Sequence, residues 1–263
     1  MSKDLYVQNH YNKIAKNYGL RSDSTLRDPF IREVEVDFIV ANIFEFVAKN
    51  GYFPKVLDAG CGNGYTLSCL REAFPEMPLV GFEYNRELLK LAKSRNLANC
   101  KLFEHDIRLP FKEGDFDIII TERVIVNLHS RKQQLSAFKN IFGALNKTGW
   151  YILIESFQAS MDELNILIQE NSQERIYPSQ HNFYLKLGVW HKMLKLGFKQ
   201  IEAPLEENFL STYFVLTRVF HPMLHSKGEK RINSRLVKFF TQGLAPATGD
   251  FSPIKLQVFQ VEK

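Results

Sequence analysis

This sequence predicts a doubly wound α/β fold, on three observations. Between Lys55 and Glu155, short apolar runs alternate with stretches of helical periodicity. The apolar runs are continuous rather than alternating, as parallel strands buried on both faces require. The first run, Val56-Leu57, opens into the turn Asp58-Ala59-Gly60-Cys61-Gly62-Asn63-Gly64 ahead of a helix. This strand–turn–helix order implies a mostly parallel sheet with helices on both sides.

The elements follow in order. Residues 5–18 read as a helix carrying Tyr6, Tyr11 and Tyr18, and a polar loop follows at 21–25. Asp28-Pro29 has the form of a helix start, with Asp as N-cap and Pro in the first turn. Phe30, Val34, Phe38, Ile39 and Phe46 give that helix an apolar face, and Gly51 stops it. The next strands are Val56-Leu57, Leu79 to Phe82, Lys101 to Phe103, Phe116 to Ile120 and Tyr151 to Ile154. The helices between them are Tyr65 to Phe74, Arg86 to Arg95 and Arg131 to Leu145, with a tight turn from Leu145 to Gly149. After Glu155 the rhythm changes. Residues 157–184 are polar and aromatic and are expected to form a partly helical cap. Leu185 to Leu196 read as a helix ended by Gly197. Phe209 to Val219 and Ile254 to Val261 read as two late strands, paired antiparallel at one sheet edge, with a basic, partly helical stretch from His221 to Phe240 between them.

Composition narrows the function classes. Of 263 residues, 45% are hydrophobic and 24% charged, which excludes a wholly disordered or fibrous chain. Lys and Arg number 34 against 29 Asp and Glu, a net +5. That bias permits an anionic partner without demanding nucleic acid. Three cysteines, Cys61, Cys69 and Cys100, lack the paired spacing of a disulfide framework or a structural zinc site. The start, Met-Ser-Lys-Asp-Leu-Tyr, has no apolar core of a signal peptide, and no apolar run is long enough to span a bilayer. A cytoplasmic protein without a metal is the expectation.

The chemistry is concentrated in three acids. Asp58 precedes a G-x-G-x-G turn, whereas a dinucleotide fingerprint reads G-x-G-x-x-G. An acid there suits an ammonium group and would repel a pyrophosphate. Glu83, ending the second strand, can accept hydrogen bonds from both hydroxyls of a ribose. Asp106, in Glu104-His105-Asp106-Ile107 after the third strand, can accept from an adenine amino group. Together the three describe a site for a nucleoside that lacks phosphates and carries an amino acid end. S-adenosyl-L-methionine has that shape.

The segments VLDAGCGNG (56–64), VGFEYN (80–85), FEHDI (103–107) and FDIIITERVIVNL (116–128) resemble the class I S-adenosylmethionine-dependent methyltransferases. The resemblance covers residues 52 to 156. It implies a Rossmann-like fold with a seven-stranded, mostly parallel sheet and an antiparallel last strand, plus a helical cap, and S-adenosyl-L-methionine as cofactor. It places Gly60, Cys61 and Gly62 beneath the cofactor, Glu83 on the ribose and Asp106 at the adenine. Asp58, Tyr84, Ile107, Thr121, Glu122 and Arg123 are expected around them. Tyr11-Asn12-x-x-Ala15-x-x-Tyr18 resembles the Y-D-x-x-A-x-x-Y segment that covers the cofactor in many small-molecule methyltransferases, so Tyr11 and Tyr18 are expected near the cationic sulfur. An amphipathic helix packing its rings on the core fits the same residues. Arg32 can meet the cofactor carboxylate or form an ordinary ion pair. On this reading residues 1–50 are a helical cap over the cofactor, and residues 51–263 are a methyltransferase domain with acceptor-site insertions at 157–184 and 221–250.

The acceptor is constrained chiefly by what is absent. Thr121-Glu122-Arg123 stands where amino-directed nucleic-acid methyltransferases carry N-P-P-Y or D-P-P-Y, and no acid cluster suggests a magnesium site. A hydroxyl acceptor needs a base, and histidine is the natural choice near neutral pH. His181, in His181-Asn182-Phe183-Tyr184, is the first candidate and His129 the second; either also fits an ordinary surface histidine. Glu155, Asn182, Tyr184 and Tyr213, with Ser211, are the expected acceptor contacts. Lys227, Lys230, Arg231, Arg235 and Lys238, set against Glu229, share a stretch with Ile232, Leu236, Phe239 and Phe240. That stretch suits a phosphate, a nucleotide-linked sugar, an anionic lipid surface or plain solvent. The expected activity is methylation of a small-molecule acceptor, anionic or nucleotide-linked, at a sugar-like or natural-product hydroxyl. An RNA methyltransferase and a non-catalytic cofactor-binding partner protein are the alternatives. With no base-flipping motif or appended RNA-binding domain, nucleic acid is not the expected partner.

Overall fold

In the computed structural model, residues 3–224 and 234–263 are described. Among them, seven strands form one sheet in the order β3-β2-β1-β4-β5-β7-β6. These are β1 (Val56–Ala59), β2 (Leu79–Glu83), β3 (Cys100–Glu104), β4 (Phe116–Glu122), β5 (Leu145–Ser156), β6 (Phe198–Ile201) and β7 (Ile254–Val261). The pairs from β3 through β5 are parallel, and β7 runs antiparallel to both β5 and β6. Strand order reverses between β1 and β4. Beyond the carboxyl ends of those two strands lies the crevice in which open α/β sheets bind ligands.

The helices are α1 (Lys3–Tyr18), α2 (Pro29–Asn50), α3 (Tyr65–Ala73), α4 (Arg86–Ser94), α5 (Arg131–Ala144), α6 (Gln158–Glu170), α7 (Leu187–Leu194), α8 (Ser211–Val215), α9 (His221–Leu224) and α10 (Arg235–Gly243). They cover both sheet faces, which is why the strands read as continuous apolar runs. Val56, Ile118, Ile120 and Ile152 pack with Phe38, Ile43, Leu67 and Leu164 on one side. Leu57, Ile119, Tyr151 and Leu153 pack with Phe138, Ile141, Val189 and Met193 on the other. Burying each such side chain contributes about 1.5–3 kcal/mol before entropy is counted.

Helix α2 starts and stops as its sequence dictates. The Asp28 carboxylate accepts from Ile31 N–H at 3.4 Å and Pro29 sits in the first turn. Gly51, at φ 75°, donates its N–H to the Val47 carbonyl at 2.8 Å. Phe38, Ile39, Ile43 and Phe46 are almost fully buried. The first fifty residues therefore divide: α1 borders the crevice, while α2 is part of a helical layer.

Two expectations are corrected. Phe209 to Val219 is not a strand but α8 continuing through a π turn, Leu216–Phe220. Tyr213, Phe214, Leu216, Thr217 and Val219 are all buried, and a helix buried all round shows the same unbroken apolar run as a buried strand. The true partner of β7 is β6, whose four residues include exposed Lys199 and Gln200. Such a short, charged strand is how a sheet edge is normally protected, and it leaves little pattern to read. The turn expected at Leu145 to Gly149 is a loop-out within β5: Leu145 pairs with Phe116, and pairing resumes at Trp150 with Ile118. Lys227, Glu229, Lys230, Arg231 and Ile232 lie outside the described residues. No helix among the described residues is long and apolar enough to cross a membrane.

Candidate functional site

A cleft opens at the switch point between β1 and β4, with about 1070 Å³ of space counting its open mouth. Its floor is the β1–α3 turn. Gly60, at φ 92°, holds a conformation that side chains rarely adopt, and a Cβ there would stand 2.6 Å from Val124 Cγ2. Glycine is therefore required on both counts. Glu83 reaches under this turn: its two oxygens accept from Gly62 N–H at 2.9 Å and Asn85 N–H at 2.7 Å. Burial raises the Glu83 pKa, and the backbone amides oppose the shift.

Asp58, 2% exposed, lines the same floor. Burial pushes its pKa up to about 7, the Glu83 charge adds to the rise, and Arg32 opposes it. Among the described residues no donor hydrogen-bonds its carboxylate. A buried acid in this state gains most from an incoming cation.

The far wall is a charge network. Arg32 pairs with Glu122, and its Nη2 donates to Thr25 Oγ1 at 2.6 Å. Glu122 also accepts from Thr66 Oγ1 at 2.8 Å and from Arg123 Nη2 at 3.1 Å. Arg123 pairs in turn with Glu35. Its backbone is left-handed, at φ 57°, a strained conformation for a non-glycine residue that the surrounding pairs hold in place. The Arg32 Nε and the Asn127 Oδ1 are buried without a partner among the described residues, and both residues line the cleft.

The roof is α1. Asn85 Nδ2 donates to Gln8 Oε1 at 2.9 Å and Asn12 Oδ1 at 2.8 Å. Asn127 Nδ2 donates to Tyr11 Oη at 2.9 Å. Arg108 Nη1 donates to Asp4 at 2.9 Å. The Tyr11 pKa is pushed up to about 12, first by burial, so its phenol stays protonated.

Asp58, Gly60, Cys61, Gly62, Glu83, Tyr84, Asp106, Ile107, Glu122, Arg123 and Tyr11 all line the cleft. Others stand elsewhere. Thr121 is fully buried, with its hydroxyl 2.6 Å from Tyr151 Oη. The Tyr18 ring lies beneath the guanidinium groups of Arg21 and Arg27. Glu155 is a scaffold: its oxygens accept from the N–H groups of Val124 and Ile125 at 2.8 Å and of Val126 at 3.2 Å. Tyr213 Oη donates to the Asp28 carboxylate at 2.9 Å, so it braces the start of α2. Tyr184 and Asn182 sit in the segment tied to the turn after β4 through Phe183 N–H and the Val126 carbonyl, 2.6 Å apart. None of these four lines the cleft.

His181 is stacked on His10 with ring centroids 4.0 Å apart, and its edge contact with Tyr11 is 6.2 Å between centroids. Burial, then the His10 and His129 charges, bring its pKa down to about 4. It supports the roof from outside the cleft, and so low a pKa makes a weak base. Burial also lowers the His129 pKa, and its Nε2 has no partner among the described residues. Sequence reading missed Asn85, Asn127, Thr66 and Arg108. Arg108 clamps Asp106, with Nε and Nη2 at 2.7–2.9 Å from the carboxylate. Its place two residues after Asp106 was the only available signal.

An acid-lined glycine turn at the switch point of this seven-stranded sheet defines a nucleoside-binding α/β domain. A family model described as a methyltransferase domain matches residues 54–207; that is more than half of the chain, which belongs to this family, the class I S-adenosylmethionine-dependent methyltransferases. The malonyl-[acyl-carrier protein] O-methyltransferase of Bacillus anthracis is 26% identical over 142 residues, 52% of each chain. The mitochondrial arginine-hydroxylase NDUFAF5 of Homo sapiens is 23% identical over 199 residues, 73% of this chain and 54% of that one. The chain thus spans about half the length of these curated relatives. Magnesium protoporphyrin IX methyltransferase from Synechocystis PCC 6803, solved with bound SAH, shares the fold at a TM-score of 0.60 and 13% identity, over 98% of this chain and 100% of that one.

Proposed function

We propose that the chain binds S-adenosylmethionine in the cleft and transfers its methyl group from sulfur to an oxygen of a small-molecule acceptor, a sugar-like or natural-product hydroxyl, releasing S-adenosylhomocysteine and passing the hydroxyl proton to water at the open mouth of the cleft. The observation that carries this reading is the pairing of Asp58, buried and without a donor, with Glu83, whose carboxylate the floor amides hold in position. When bound, the cofactor supplies an electrophilic methyl on a cationic sulfur.

The residues fit such a group. Asp58 takes the ammonium, and Arg32, with its unpartnered Nε, stands ready for the carboxylate. Glu83 accepts from the ribose hydroxyls, and Ile107 and Asp106, held by Arg108, border the adenine end. Tyr11 and α1 exclude water from above. With the methyl donor and acceptor held in line, positioning alone can supply much of the acceleration. Glu122 and Arg123 form the wall nearest the acceptor, and Arg123 offers a cation to an anionic one. His181 supports the roof and serves as a positioning residue. Transfer to oxygen is supported by the absence of an amine-methylating motif at Thr121-Glu122-Arg123 and by the O-methyltransferase relative.

The test is incubation of the chain with labelled methyl donor and a cell extract, followed by mass spectrometry. Label in a small hydroxylated molecule is the expected result. Label in RNA would replace this reading with the RNA alternative, and tight cofactor binding without transfer would make the chain a binding partner.

A further inference from the structure

The region that follows β6 has a surface unlike the rest of the molecule. The chain holds 29 acidic residues in 263, yet residues 208–249 contain only Glu229. Of the seventeen large apolar side chains exposed among the described residues, seven fall between 220 and 244. Phe239, 70% exposed, and Leu224, 64% exposed, lead them.

Helix α10 shows how the surface is built. The Ser234 hydroxyl caps it by accepting from Val237 N–H at 3.2 Å. Val237, 3% exposed, is its one buried residue. With Val237 turned inward, the remaining apolar residues, Leu236, Phe239 and Phe240, face out, with the two rings edge to face at 5.3 Å. Arg235 and Lys238 stand exposed among them. Helix α10 packs on the π turn that ends at Phe220; Phe220 is exposed there, as are Met223 and Leu224 on α9, the helix that follows directly.

We propose that this α9–α10 face is a docking surface for an anionic phospholipid bilayer. Exposed aromatic and aliphatic side chains interleaved with cations suit the boundary between headgroups and acyl chains. There the rings enter the apolar layer while Arg235 and Lys238 remain with the phosphates. Charge selects this occupant. A second copy docking through the same face would set cations against cations, and RNA would leave Met223, Leu224 and Leu236 without a base to stack on. With no spanning helix among the described residues, attachment is peripheral. The surface lies outside the cleft, so this inference stands apart from the methyl-transfer reading.

Co-sedimentation with vesicles tests it, using phosphatidylcholine alone and phosphatidylcholine mixed with phosphatidylglycerol. The full chain is expected to bind the mixed vesicles, to leave them as salt is raised, and to ignore phosphatidylcholine alone. The double variants F239S/F240S and R235E/K238E should each bind at least about tenfold more weakly. Both should titrate with S-adenosylmethionine as the parent does, which shows that they are folded. The proposal is overturned by equal binding to both vesicle types, by no vesicle binding, by variants that bind as the parent does, by a solution dimer that F239S/F240S dissolves, or by salt-sensitive binding to RNA alone.

Discussion

The floor and the roof of the cleft are held by different kinds of contact. In the floor, Glu83 is fixed by backbone, taking amides from Gly62 and Asn85, and behind the cleft Glu155 fixes the turn after β4 by taking three more. In the roof, α1 has Ala15 as its one buried residue and is tied down by side chains: Asn85, Asn127, Arg108 and the His10–His181 stack. A site built on backbone is preorganised. A roof held by polar side chains at its rim can lift without unfolding the core. On the proposed function, floor substitutions are therefore expected to act on ligand affinity and roof substitutions on ligand access.

Substitutions in the two regions should differ in size and kind. The largest effect is expected from Gly60→Ala, which combines the approach to Val124 with an unfavourable φ. It should cost about 1–3 kcal/mol of stability and lower cofactor affinity at least about a hundredfold, read by thermal melting and calorimetry. Glu83→Ala removes an acceptor without filling space and should weaken cofactor binding about ten- to a hundredfold. An unchanged affinity would remove the ribose assignment.

The pH dependence should follow Asp58. Its carboxyl titrates at about 7 in the folded chain, well above its ordinary value. Between those two values the folded state holds a proton that the unfolded state has lost. The Asp58 contribution to stability is thus most favourable at low pH, falls as pH rises toward 7, and is flat above. A cationic ligand prefers the carboxylate, so cofactor affinity should climb up to about tenfold per unit to pH 7 and then level off. In Asp58→Asn that climb should vanish, leaving weak and pH-independent binding.

The roof variants should be milder. Arg108→Ala frees both Asp4 and Asp106. It should reduce affinity about three- to tenfold and speed proteolysis of α1, with little change in melting temperature. His181→Ala should have the smallest effect, about threefold on affinity through a loosened roof. Turnover that collapses while affinity stays intact would instead return His181 to the role of base.

The sequence showed the floor clearly and the roof poorly. Strand, acid and glycines are contiguous at 56–64, and each acid follows an apolar run, so local order carries the geometry. β1 to β5 and β7 were also legible, and the seven-stranded sheet with its antiparallel last strand was implied by the resemblance. The partner of β7 was not, because α8 is buried all round and reads as a strand, while β6 is too short to show a period. The expected acceptor contacts Glu155 and Tyr213 and the candidate base His181 stand outside the cleft for a related reason. All three are polar residues set among apolar and aromatic ones after the fourth apolar run, the pattern of a site. Their partners are backbone amides, the α2 N-cap carboxylate and the ring of His10, all distant in sequence. Asn85 and Asn127 escaped notice because their value lies in contacts with α1, which no local spacing reveals, whereas Arg108 had a local signal in its place two residues after Asp106.

The most direct measurement is calorimetric titration of the chain with S-adenosylmethionine and with NAD at pH 8, repeated for Glu83→Ala. Saturable one-to-one binding of S-adenosylmethionine, weakened by the substitution, with no heat from NAD, is the predicted result. Binding of NAD, or binding of S-adenosylmethionine that ignores Glu83, would contradict it.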